Sequence, residues 1–262
     1  MPDHSSETVV APSRRSQASP SEPSGDDRSS RRRERRNDWR LGGSTVTRWR
    51  EKLLAIALLS LGAGVVLGDL VGVAVPLLGQ VVLWVSMLVP VVLALVWSRP
   101  VGLLRFRAID LLWGVGLGLL VWMIQGWTAG REVEFPSLVR IDGALPTGWW
   151  FTDLIAPVLI APVVEEFFFH GVLLVAFYAW LRRPLGGFTA GLTALLVTAA
   201  VFVVLHTALA PGAVSDVIAL AVLALTTGLA VLLTGRIWTA VLVHIVYNVL
   251  GAGLLLVGTF VG

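Results

Sequence analysis

Seven stretches of the chain, approximately residues 53–75, 77–97, 109–128, 150–180, 188–208, 216–234 and 237–260, are almost continuously apolar. Runs of about 18 or more apolar residues are long enough to cross a bilayer. In hydrocarbon the backbone must satisfy its own hydrogen bonds, so such spans are helices or closed barrels. A barrel would alternate in segments of about ten residues, and this chain does not. The expected architecture is all-α: a polytopic transmembrane helix bundle of about seven to eight spans. Only 14% of the residues are charged, against about a quarter in soluble domains. That excludes a soluble globular enzyme, a disordered chain and a fibrous repeat. The chain has no cysteine, which removes disulfides, thiolate metal ligands and a cysteine nucleophile.

One span is too long for a single straight crossing. Residues 150–180 hold Pro157 and Pro162, and each proline removes a backbone donor. The stretch reads as a broken helix, with a first piece to about Pro157 and a second carrying Val163 to Trp180. Gly114, Gly116 and Gly118 lie on another span and are expected to serve close helix packing.

The charges are unevenly placed. Residues 1–52 hold twelve Lys/Arg and eight Asp/Glu, and the other 210 residues hold eight and nine. The basic excess is a Ser/Pro/Arg-rich tail, densest at Arg31, Arg32, Arg33, Arg35 and Arg36. It carries too little apolar surface to fold. It directly precedes the first span, where positive charge marks the cytoplasmic side. A disordered, membrane-flanking tail is favoured over nucleic-acid binding. Arg99, Arg105, Arg107, Arg182, Arg183 and Arg236 fall in turns on the same side. The other side has Arg131 and Arg140 beside Glu132, Glu134 and Asp142. The N-terminus is therefore expected in the cytoplasm. With nineteen arginines to the single lysine Lys52, the membrane is expected to be a bacterial cytoplasmic one. The division expected is a tail at 1–50, three helices within 51–148, and a core at 149–262.

Polar groups inside spans are costly and are functional candidates by default. Asp69, Asp110, Asp153, Asp216 and Gln125 lie near span ends, where headgroups can solvate them. Glu165, Glu166, His170, His206, His244 and Asn248 lie deep. Glu166 and His170, Phe202 and His206, and His244 and Asn248 are each four apart, so each pair shares a helix face. Two adjacent carboxylates in hydrocarbon need hydrogen bonds, a shared proton, a metal or water. The two distant histidines could supply partners. Each of these residues alone reads as a helix–helix contact; as a group beside a proline-broken helix they read as a site.

Glu165-Glu166-Phe167-Phe168-Phe169-His170-Gly171 resembles the first motif, E-E-x-x-x-R, of the CPBP family. These are CAAX-protease and bacteriocin-processing intramembrane endopeptidases, also called the Abi family. Phe202 to His206 matches the second motif, F-x-x-x-H, and His244 to Asn248 the third, H-x-x-x-N. The three stand in the family's order, each on its own span, within about residues 150–255. One departure is that His170 occupies the motif's arginine position. Arginine is permanently charged and can be bidentate, whereas histidine is neutral or charged with pH.

The resemblance implies an endopeptidase acting on a membrane-associated protein or peptide. Glu165 would be the general base, His206 would hold the water, and His244 and Asn248 would donate to the oxyanion. Glu166 would orient the site through His170, and Phe202 would support it. Neither G-x-S-x-G nor H-E-x-x-H occurs, so water is the expected nucleophile and the usual zincin pattern fails. No cofactor is favoured, although Glu165, His206 and His244 also make a valid zinc set. The partners expected are membrane lipid and a peptide or membrane-protein substrate, without nucleic acid. A non-catalytic relative, acting as scaffold or bacteriocin-immunity protein, is the alternative. A proton-coupled transporter fits less well, because its inverted repeat would place polar groups in both halves.

Overall fold

The structure, a computed structural model, describes residues 38–41, 46, 48–49, 51–130, 135–210 and 212–261. The arginine run at 31–36, almost all of the expected tail, and Arg131, Glu132 and Glu134 lie outside the described residues. The described chain is helical: α1 (Glu51–Gly72), α2 (Pro76–Trp97), α3 (Ile109–Ala129), α4 (150–185), α5 (187–209), α6 (Val214–Thr234) and α7 (Trp238–Phe260). A short helical turn, Val101–Leu104, sits between α2 and α3. Six helical runs are long and apolar enough to cross a membrane, one of them the 60-residue run Trp150–Leu209. Straight, that run would extend about 90 Å, three times a hydrocarbon core. It folds back at Gly186, whose φ of 76° and ψ of 169° suit glycine alone. Among the described residues the chain thus makes seven helical passes; five match the apolar stretches within about two residues, α1 ends three residues earlier and α4 runs five residues further.

The 150–180 stretch is not broken at its prolines. α4 is π-helical over Trp150–Ile160, α-helical over Ala161–Glu166, and π-helical again over Phe167–Leu173. Pro157 lies within the first π segment, with its wider i→i+5 turn, and Pro162 in the first turn of the α-helical piece, so neither ends the helix.

α4 is the central rod, packed against α2 and α7. Phe168, Phe169, Leu173 and Leu174 are fully buried along it. α1 and α2 form a hairpin, α5 and α6 a second, and α3 lies along α7. Of the three glycines on α3, two serve packing. A Cβ at Gly118 would lie 2.8 Å from Val246, and one at Gly114 would collide with Leu242, whereas Gly116 faces open space.

The arginine-rich end is tied together by specific bonds. Trp39, in the 3-10 turn Trp39–Leu41, is buried and donates from Nε1 to Gly235 O at 3.0 Å. Arg40 donates to Leu232 O at 3.2 Å and to Leu233 O, satisfying carbonyls that the end of α6 leaves open. The Arg40 carbonyl accepts from Tyr178 Oη at 2.8 Å, and Trp49 Nε1 donates to Ala94 O at 3.0 Å.

Asp110 corrects a sequence expectation. It does not reach outward for solvation but is fully buried. Arg236 donates to its Oδ1 from Nε at 3.0 Å and from Nη2 at 2.5 Å, and Thr239 Oγ1 donates at 2.8 Å. The Arg107 amide donates to Oδ2 at 2.8 Å. A buried carboxylate needs such pairing. Asp69 is exposed as expected, and Asp216 caps the start of α6 by accepting from the Ala213 amide at 2.9 Å.

Candidate active site

Glu165 and Glu166 end the α-helical turn between the two π segments of α4. Adjacent residues on a helix point about 100° apart, so the two carboxylates have different surroundings. Glu166 is wholly buried. His170 Nδ1–H donates to its Oε2 at 2.6 Å, and His244 Nδ1–H donates to its Oε1 at 2.9 Å. One carboxylate therefore bridges two imidazoles from α4 and α7. Glu165 retains 12% side-chain exposure. Its Oε2 lies 3.4 Å from His206 Nε2 and 4.0 Å from His244 Nε2.

The tautomers follow from the partners. His206 Nδ1 faces the Phe202 carbonyl at 2.9 Å, and a carbonyl only accepts, so Nδ1 carries the hydrogen. His244 Nδ1 is likewise committed to Glu166. Both Nε2 atoms are thus free to exchange protons on the side where Glu165 lies. Phe202 fixes both rings. It stacks on His206 with centroids 4.1 Å apart and meets His244 edge-on at 6.0 Å. This explains the four-residue spacing of F-x-x-x-H, since the aromatic face and the carbonyl of one residue hold the imidazole one turn later.

His170 is fully buried, and its Nε2 has no partner among the described residues. A ring donating from Nδ1 can leave Nε2 as a bare lone pair. Gly228 on α6 makes room for it, because a Cβ there would sit 3.2 Å from Nε2. Thr227 Oγ1 is 3.4 Å from Nδ1 and donates to Leu223 O at 3.0 Å.

Asn248 is placed elsewhere. Its Nδ2 donates to Pro157 O at 2.7 Å. In the π register that carbonyl would receive the amide hydrogen of residue 162, as Ala156 O receives that of Ala161. Residue 162 is proline and has no such hydrogen. Asn248 supplies the missing donor and pins α7 to α4. The remaining amide hydrogen stays available.

His206 and His244 start from different depths. From Gly187 to His206 is about 28 Å along a helix axis, and from Ile237 to His244 about 10 Å. α4 runs past the Gly235 turn. Tyr178 stacks edge-on against Trp39 beneath that turn at 5.3 Å, and the rest of α4 to Gly186 adds about 12 Å. α5 thus starts further out than α7, and the side chains close what is left.

The structure therefore gathers Glu165, Glu166, His170, His206, His244 and Phe202, with Asn248 one turn along α7. Sequence reasoning missed Thr227 and Gly228 around His170, and also a cavity beside Asn248. That cavity, about 280 Å³, is lined by Gln125, Asp153, Pro157, Tyr247, Asn248 and Ala252 among others. Tyr247 Oη donates to Gln125 Oε1 at 2.7 Å. The polar residues near span ends were a signal that pointed there. Among the described residues, no group of three or more His, Cys, Asp or Glu side chains is set to hold a metal ion.

Residues 147–250, from the start of α4 to the far part of α7, match the family model described as Type II CAAX prenyl endopeptidase Rce1-like. No curated protein and no solved structure matches the chain. Over those residues, which carry every member of the Glu/His cluster, the chain is similar to the Rce1-like proteases of the CPBP family, as its three motifs implied.

Proposed function

We propose that the protein is an intramembrane endopeptidase that hydrolyses a peptide bond of a membrane-associated protein or peptide with water activated by Glu165 and His206. The single observation that carries this reading is the half-open pair. Glu165 and His206 keep side-chain exposures of 12% and 27%, while Glu166 and His170 have none. A water seated against both donates one hydrogen to Glu165 and the other to His206 Nε2. Glu165 takes the proton as the water oxygen bonds to the carbonyl carbon. When the tetrahedral species collapses and the C–N bond breaks, Glu165 returns that proton to the leaving amine. His244 can donate to the oxyanion from Nε2 only as the imidazolium, whose charge Glu166 balances at Nδ1. The free amide hydrogen of Asn248 is the second donor. Loss of one oxyanion donor costs about 10²–10³ in rate in other proteases.

Purified protein, assayed on membrane-peptide mixtures beside Glu165→Gln, tests the reading: new termini must appear only with the unaltered chain. The zinc alternative is decided on the same preparation. One zinc per chain, lost together with cleavage in His206→Ala, would replace the Glu/His mechanism with a metal-assisted one. A second reading, the non-catalytic scaffold or immunity relative, has His170 in the arginine position in its favour. A folded chain that cuts nothing under any condition would support it. The setting we propose is a bacterial cytoplasmic membrane with the N-terminus inside.

A further inference from the structure

Only two members of the cluster are open, and their surroundings give a direction. His206 lies close to the arginine-poor end of α5, and residues 208–210 beyond it are exposed. The 280 Å³ cavity starts at Asn248 and Pro157, one turn from His244, and continues toward the same end, to Asp153 near the start of α4 and Gln125 near the end of α3. At the opposite end, Trp39, Trp49, Leu103 and Ile237 are buried, and Asp110 is locked to Arg236.

The cavity's chemistry selects an occupant. Asp153 is exposed, and among the described residues its Oδ2 accepts the neighbouring Thr152 hydroxyl alone, at 2.7 Å. Asn248 gives one of its two amide hydrogens to Pro157 O, and its side-chain carbonyl oxygen is an acceptor for a cavity occupant. Among the described residues, no Lys, Arg or His lines the cavity. The volume of about 280 Å³ equals about nine waters at about 30 Å³ each, which suits one long side chain. An isoprenoid tail would strip water from Asp153 and Asn248 without replacing the hydrogen bonds, whereas a cation is drawn by the carboxylate.

Resting on the endopeptidase reading, we propose that the substrate is a polypeptide segment that approaches Glu165 from the arginine-poor end and lodges a Lys or Arg side chain beside Asp153. By the positive-inside rule that end faces away from the cytoplasm.

The lack of native cysteine makes the test direct. Ala252→Cys lines the cavity, and Phe188→Cys stands exposed at the other end. Both are reacted with two membrane-impermeant methanethiosulfonates, one bearing a trimethylammonium group and one a sulfonate, in spheroplasts and in inverted vesicles. Rates are divided by those of a free thiol. Expected is reaction of Ala252→Cys in spheroplasts, several-fold faster with the cation, with the preference abolished by Asp153→Asn. Phe188→Cys should react only in inverted vesicles. Reaction of Ala252→Cys only in inverted vesicles, no reaction in either preparation, or equal rates for the two reagents would overturn the proposal. No cleavage is read, so the result stands whether or not the chain proves to be a protease.

Discussion

His170 stands where the similar family's motif has arginine, and its geometry shows what replaces the guanidinium. The imidazole of His170 donates once to Glu166 from Nδ1 at 2.6 Å, and His244 provides the second donor from another helix. Arginine would have supplied both alone. The Glu166–His170 contact was legible, because residues four apart share a helix face. The Glu166–His244 contact joins residues 78 apart, and no local pattern encodes it. The consequence is measurable. His170→Ala leaves a buried carboxylate oxygen unpaired and should cost about 3–5 kcal/mol, read as a lowered unfolding midpoint in detergent. His170→Gln keeps an N–H and should lose less. His170→Arg should not stabilise, because the ring already stands close against α6 at Gly228, where even a Cβ would lie 3.2 Å from Nε2.

At the scale of the helix, the π segments of α4 were hidden from sequence. Hydropathy reports burial and not hydrogen-bond register, so the prolines read as a break. The register is visible only through its partner: Asn248 bonds the carbonyl that Pro162 leaves unpaired. Asn248→Leu should therefore destabilise the protein by about 1–3 kcal/mol, the usual penalty for a buried unsatisfied carbonyl. In a Pro162→Ala background the backbone can supply the donor itself, so the same change should cost clearly less. Equal costs in the two backgrounds, measured as a double-mutant cycle, would contradict the compensation. The oxyanion role proposed for Asn248 is read separately, because Pro162→Ala should not rescue the rate.

For the molecule as a whole, the spans were legible because a bilayer imposes length and apolarity on every crossing. The fastening of the arginine-rich end was not, since Trp39, Arg40 and Asp110 find their partners only after the helices assemble. Asp38 belongs to that fastening. Burial pushes its carboxyl up, and hydrogen bonds and charge from Arg40, at 2.8 Å, more than offset this and hold it below the ordinary value. A carboxyl depressed in the folded state contributes stability above its unfolded value, and that contribution is lost as pH falls through the folded value. Cleavage by an added protease near Arg40 should thus be slow at neutral pH and accelerate below about pH 4. Asp38→Asn should remove this dependence. The central claim, that Glu165 and His206 activate water to cut a peptide bond, is tested most directly by comparing protein termini in cells. Cells carrying the unaltered chain are set against cells carrying folded Glu165→Gln at equal abundance. Expected is at least one internal bond cut with the unaltered chain and intact with Glu165→Gln; the same set of cut bonds in both would contradict it.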